Sequence, residues 1–419
     1  MTQEEKKLSE QAIEFFKKKD YDKSKSLYEE ILKTNPKISF IYGNLGVIFK
    51  IKGDINRAIK CYIEAIKLDP KNIPIYNNLA NAFKEIKNYK MALQVYADIL
   101  KINPNDFNIY NNIGIVFELI GENNKAIEAY KQAVRINPNH AKSINNIGVV
   151  LYKQKKYKES AQIFEIALQV DENYFEVYSN KGAAYNKAKE YDKAIESLEM
   201  AILKMPNHGG AYTNLGNVYN KLHDYEKASK LHEKSIELEP NGSNAYSNLG
   251  TSYKYLGLSN KAISSYKKAI ELDPNFVNAH FDLATMYLAM EDFENGWKEY
   301  EWRFKKEEMI PHIIRHKDIF SKPLFTGAED IKGKILLLHS EQGYGDSIQF
   351  IRFLPQIKEK FGCKIAVKCR EGLKELFQTM SEIDVIADRN EATPQFDYQL
   401  SIMSMPFVLG MKSINDLPK

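Results

Sequence analysis

YNNLANAFKEIKNYKMALQVYADILKINP (76–104) holds two apolar stripes of helical period, parted by a short polar step and closed by a proline. The proline is one of a series. Pro36, Pro70, Pro104, Pro138, Pro206, Pro240 and Pro274 fall on a 34-residue grid, and Glu172 stands at the one step without proline. Eight full units follow, at 5–38, 39–72, 73–106, 107–140, 141–174, 175–208, 209–242 and 243–276, with a divergent ninth at 277–310. A period of this length predicts stacked helical hairpins, none of which can bury its apolar faces alone.

The packing positions repeat with the prolines. Position eight of each unit is small: Ala12, Gly46, Ala80, Gly114, Gly148, Gly182, Gly216, Gly250, Ala284. So is position twenty, from Ser24 and Ala58 through to Gly296. Aromatic or large apolar residues occupy position eleven (Phe15 to Tyr287) and position twenty-four (Tyr28 to Tyr300). Small residues on paired helices let the backbones approach, which offsets the roughly 1 kcal/mol that glycine costs in a helix. His232 takes an aromatic slot at position twenty-four and reads as a core histidine. Proline at position thirty-two is expected to stop the second helix, aided by the Asn or Asp that usually precedes it.

Composition narrows the function. With 59 basic and 55 acidic side chains the formal charge is +4, too small for a nucleic-acid footprint. Three cysteines (Cys61, Cys363, Cys369) argue against a disulfide scaffold and for a reducing compartment. MTQEEKKLSEQ has no apolar signal core, and no long apolar run spans a membrane, so a soluble cytoplasmic protein is expected.

One polar position is as regular as the packing ones. Position six reads Asn44, Asn78, Asn112, Asn146, Asn180, Asn214, Asn248 and then Asp282. Asparagine loses up to about 0.7 kcal/mol against alanine in a helix, so an offsetting interaction is expected. A carboxamide both donates and accepts, and can pair with the backbone of an extended peptide whatever its side chains. The alternative is that each amide bonds the neighbouring repeat, or persists only through duplication of the unit.

After Pro274 the pattern changes. GWKEYEWRFKKEEM (296–309) carries both tryptophans and reads as a capping helix, with 311–330 as a connector. His312 and His316 are four apart without a third ligand, so no metal site and no cofactor are expected. From 331 the order becomes βαβ: strands at 334–340, 364–369, 383–388 and 396–402, with helices at 347–362 and 370–380. EQGYGD (341–346) is a glycine loop in which Gly343 and Gly345 allow a sharp turn and free N–H groups could meet an anion. Ile348 replaces the third glycine of the dinucleotide fingerprint, and Asp346 reads on composition as the N-cap of the next helix.

The repeats resemble the tetratricopeptide repeat family over about three quarters of the chain. The resemblance implies an all-α superhelix, an α-solenoid with first helices on the concave side, that binds protein or peptide partners. The asparagine series is similar to that of O-linked N-acetylglucosamine transferases, where such residues hold the substrate chain. The family's carboxylate clamp needs basic residues where neutral amides stand here, and Lys142 alone does not rebuild it. LFTG, LLLHSEQGYGDSIQFIRFLP and FDYQLSIMSMPFVLG resemble the segment after the repeats in bacterial tetratricopeptide glycosyltransferase-like proteins. The glycine–aspartate turn resembles that of heptosyltransferases, which implies a partial Rossmann-like domain, half of a GT-B fold, over 331–419. Carried over, Asp346 would be the general base on an acceptor hydroxyl. The donor-binding half is expected to be missing from this chain, so a nucleotide sugar is expected to bind only in a longer parent, and this chain alone is expected not to transfer sugar.

Overall fold

The structure is a computed structural model that describes residues 1–306, 309, 317–341 and 343–418. His312 and His316 lie outside the described residues. Two compact units divide the chain, Met1–Pro206 and Asn207–Lys419.

The first unit is six helical hairpins. Their first helices are Gln3–Lys17, Ser39–Ile51, Ile73–Glu85, Phe107–Leu119, Ala141–Lys153 and Phe175–Lys187. Their second helices are Tyr21–Thr34, Ile55–Leu68, Tyr89–Ile102, Asn123–Ile136, Tyr157–Val170 and Tyr191–Lys204. The second unit continues with Gly209–Lys221 and Tyr225–Leu238, Ser243–Tyr255 and Ser259–Leu272, then Val277–Ala289 and Phe293–Tyr300, closed by a 3-10 turn at Glu301–Lys305.

Each hairpin turns at position fifteen, which is left-handed in all nine repeats. The residues there are Lys19, Gly53, Lys87, Gly121, Lys155, Lys189, His223, Gly257 and Glu291. The following N–H reaches back to the carbonyl at position eleven, as in Asp20 to Phe15 and Asp292 to Tyr287, both 2.9 Å. This closes the first helix in the same way each time.

The end of the second helix corrects the expectation about proline. Tyr157–Val170 stops at the same step as its neighbours although Glu172 replaces the proline. Asp171 Oδ1 accepts the Asn173 N–H at 3.0 Å, and the same turn joins Asn137 to Asn139 at 3.1 Å and Asp273 to Asn275 at 3.0 Å. The Asn or Asp at position thirty-one therefore ends the helix with or without proline behind it.

Packing separates the two aromatic positions. At position twenty-four Tyr62, Tyr96, Tyr130, Leu198, His232 and Tyr266 are fully buried. A methyl group on Gly46 would lie 2.4 Å from the Tyr62 ring, and one on Gly216 2.6 Å from His232, so the missing side chain makes room for the ring. At position eleven several rings stay partly exposed beneath a cation from position nineteen. Lys23 sits 5.2 Å from the centre of Phe15, Lys125 5.9 Å from Phe117 and Lys227 5.1 Å from Tyr219.

The second unit also contains a four-stranded parallel sheet of β1 (Ile335–His339), β2 (Lys364–Cys369), β3 (Val385–Asp388) and β4 (Tyr398–Ser401), in the order β3-β2-β1-β4. The helix expected at 347–362 is two helices, Tyr344–Ile351 and Leu354–Phe361. Pro355 supplies no N–H and occupies the first turn of the second, which fixes the break. The helix expected at 370–380 is confined to Lys374–Phe377, after a left-handed Gly372. Residues read as connector contribute to the core: Ile319 and Phe325 are buried, and the Phe325 N–H bonds the Gln399 carbonyl at 2.9 Å. All three cysteines are unpaired, and among the described residues no helix is long and apolar enough to cross a membrane.

Candidate functional site

The position-six residues are half-buried in both units, but their bonding differs along the series. Asn44 donates to the Tyr28 hydroxyl at 3.0 Å. Asn146 donates to Asn111 Oδ1 at 3.0 Å and Asn180 to Asn145 Oδ1 at 3.2 Å, each reaching the position-five amide of the preceding repeat. Asn111 Oδ1 also accepts from Ser143 at 3.0 Å, and Ser143 contacts His140 Nδ1 at 2.8 Å. Repeats four to six are thus linked by side-chain amides.

Asn78 and Asn112 are different. Neither side chain makes a hydrogen bond among the described residues. The Tyr62 and Tyr96 hydroxyls and Asn77 Oδ1 are buried without partners among the described residues. In the second unit Asn214 is engaged, Asn248 accepts through its backbone carbonyl from Ser252 at 3.1 Å, and Asp282 closes the series. Burial pushes the Asp282 carboxyl up, against the opposing pull of Lys254 and Lys306.

Within the sheet, β1 lies between β2 and β4. The chain leaves it towards β2 and β3, then returns to β4 on its other side. Crevices at such a reversal, beyond the carboxyl ends of the strands, are where open α/β sheets bind ligands. The glycine loop begins here. Asp346 is not the N-cap residue expected from composition; that place belongs to Gly343, and Asp346 is the third helical residue. Its Oδ2 accepts the Gly343 N–H at 3.0 Å, so that donor is already used inside the loop. Gly345 is helical, and the loop is further tied by Ser347 Oγ to Ser340 Oγ at 3.0 Å.

Sequence reasoning missed the most densely bonded group in this region. Arg303 is 2% exposed and donates from Nε to Glu341 Oε1 (2.5 Å), from Nη1 to Glu301 Oε1 (2.6 Å) and from Nη2 to Ser404 Oγ (2.7 Å). The rings of Tyr300 and Phe304 lie 4.7 and 4.2 Å from its guanidinium. The Arg303 pKa is raised: burial opposes the charge, and the two carboxylates more than restore it. Glu341 Oε2 has no partner among the described residues. His280 and Trp302 stack nearby in sequence at 3.7 Å, and Glu299 holds the His280 Nδ1 at 2.5 Å. Among the described residues no group of three or more His, Cys, Asp or Glu could hold a metal ion.

Comparison with known proteins agrees with the helical repeats. Family models described as TPR repeat or tetratricopeptide repeat match residues 46–87, 73–106, 119–155, 173–241, 207–275 and 265–299. None of these matches reaches the parallel sheet. Protein FlbA of Caulobacter vibrioides is 32% identical over 111 residues, covering 25% of this chain and only 17% of FlbA. Among crystal structures, MamA is 28% identical with a TM-score of 0.35, covering 40% of this chain and 92% of MamA. A tetratricopeptide repeat protein from Parabacteroides merdae is 19% identical with a TM-score of 0.48, covering 60% and 99%. YrrB, described as a TPR protein with an unusual peptide-binding site, is 22% identical with a TM-score of 0.36, covering 44% and 95%. With the period, the hairpins and the family matches in agreement, the chain belongs to the tetratricopeptide repeat family.

Proposed function

We propose that the first-helix face of the repeats binds an extended polypeptide through its carboxamides. Tetratricopeptide proteins bind peptides and proteins. The observation that carries the reading is the pair Asn78 and Asn112, amides with no side-chain hydrogen bond among the described residues, beside Asn146 and Asn180, which are held by their neighbours. Asn146 and Asn180 are fixed in orientation by repeats four and five, which lowers the entropy cost of using their remaining bonding capacity. Peptide ligands selected from a randomised library on the whole chain, then labelled and titrated by fluorescence anisotropy, test this. Replacing Asn78 and Asn112 together by Ala should weaken binding about tenfold, the loss of two neutral hydrogen bonds, without moving the melting temperature. Unchanged affinity sinks the proposal.

A second reading concerns the α/β region. The parallel order β3-β2-β1-β4 with a glycine–aspartate turn after β1 supports a Rossmann-like half of a glycosyltransferase. In that reading Asp346 is the general base, and a donor nucleotide sugar needs a second domain. Calorimetry of this chain with uridine-diphosphate sugars is expected to show no binding, and micromolar heat would overturn the assignment of a donor-free half.

A further inference from the structure

Position twelve lies in the last turn of the first helices of the repeats, and in the first unit it carries charge in three consecutive repeats: Lys50, Lys84 and Glu118. Two of these are paired with position thirteen of the following repeat. Lys50 meets Glu85 at 3.6 Å, and Glu118 meets Lys153 at 2.5 Å. At the step between them position thirteen is Leu119, 54% exposed, which offers no carboxylate. Lys84 accordingly has no ion pair and no hydrogen bond among the described residues, although it is half-buried.

Its surroundings sharpen the imbalance. Burial, and then the ammonium groups of Lys50 and Lys142, hold the Lys84 amine below the ordinary lysine range. A cation placed among cations, partly out of water and without an anion, is electrostatically incomplete. Asn77, Asn81 and Lys84 lie on one stripe of the helix Ile73–Glu85, at spacings of four and three. Asn77 Oδ1 is buried and unpartnered, and Asn78 is the adjacent unbonded amide. In repeat three, Asn77 Oδ1, the Tyr96 hydroxyl, the Asn78 amide and the Lys84 ammonium are all left open among the described residues, and of these four Lys84 alone is charged.

We infer that Lys84 is the anchor for an acidic side chain, aspartate or glutamate, of the polypeptide bound along this face. The inference rests on the polypeptide reading above and adds the chemistry of its ligand. An acidic peptide supplies the carboxylate that Lys84 lacks and backbone amides for Asn78 and Asn112. A nucleic acid would instead require basic residues along the whole face, where Asn77, Asn78, Asn81 and Asn112 are neutral amides.

The whole chain is used to select from a randomised twelve-residue peptide library, and a selected peptide is labelled with fluorescein and titrated against wild type and Lys84→Gln. Selected peptides should carry Asp or Glu at one register. Lys84→Gln should weaken the acidic peptide about tenfold, the loss of one charge-assisted hydrogen bond, while melting at the wild-type temperature. The same peptide with its acid changed to glutamine should bind wild type and variant alike. Selection of peptides without an acid, or an unchanged Kd in Lys84→Gln, overturns the anchor and leaves the polypeptide reading standing. Failure to select any peptide overturns both. Binding of a labelled oligothymidylate that is lost in Lys84→Gln, in place of peptide binding, overturns the acidic-peptide assignment in favour of nucleic acid.

Discussion

His232 shows what one residue can reveal about the packing of a repeat. It fills a slot that tyrosine or phenylalanine occupies in other repeats, is fully buried, and meets Asn220 Nδ2 through Nε2 at 3.3 Å. Its Nδ1 has no partner among the described residues, and burial lowers its pKa to about 4 from 6.5. Between these two values the unfolded chain binds more protons than the folded one, so stability falls as pH falls from 6.5 towards 4. At pH 5 the loss is about 2 kcal/mol. His232→Phe, which reproduces the Gly148–Phe164 pairing of repeat five, should remove that component. Thermal melts at pH 7 and pH 5 check it: the drop in melting temperature should be smaller in the variant, and equal drops would refute the assignment. The core role of His232 was legible because its position is defined nine times over. The open bonding of Asn78 and Asn112 was not, because it depends on side-chain rotamers that identical residue types do not share.

At the scale of elements, periodicity located the helices, while the way each is terminated had to be seen. Position fifteen is left-handed in every repeat, yet only Gly53, Gly121 and Gly257 signal it, the other six being Lys, His or Glu. The backbone bond from position sixteen to position eleven holds these residues at a cost of about 1 kcal/mol each. The prolines were the visible punctuation, but repeat five stops without one because Asp171 bonds the Asn173 N–H. Asp171→Ala should therefore loosen its helix end by about 1 kcal/mol. Asp69→Ala should do less, since Pro70 still blocks continuation. Amide hydrogen exchange over 167–175 and 66–73 distinguishes the two, and equal protection losses would show that proline adds nothing. Pro355 is the opposite case, an interruption whose effect was underestimated and which splits one expected helix in two.

For the molecule as a whole, the array was readable and the attachment of the sheet was not. Arg303 joins Glu301, two residues away, to Glu341 and Ser404, which are 38 and 101 residues away in the chain. No local pattern announces such a group, and the tryptophan-rich run around it reads as a simple cap. Arg303→Ala would leave two carboxylates without their cation, one of them fully buried, and should cost the second unit about 3–5 kcal/mol. A melting temperature within a degree of wild type would refute this account. Arg303→Met, which keeps the stem but not the charge, should be nearly as damaging, because the cost lies in the stranded acids rather than in lost volume.

That guanidinium also governs how the polypeptide can be dissected. A cut after residue 310, where the ninth unit ends, or at the start of β1 looks natural from the repeat grid, but either separates the cation from Glu341. Anyone wishing to express the sheet by itself must begin upstream of Phe293, carrying the last hairpin along, since the boundary drawn by periodicity and the boundary drawn by charge neutralisation do not coincide.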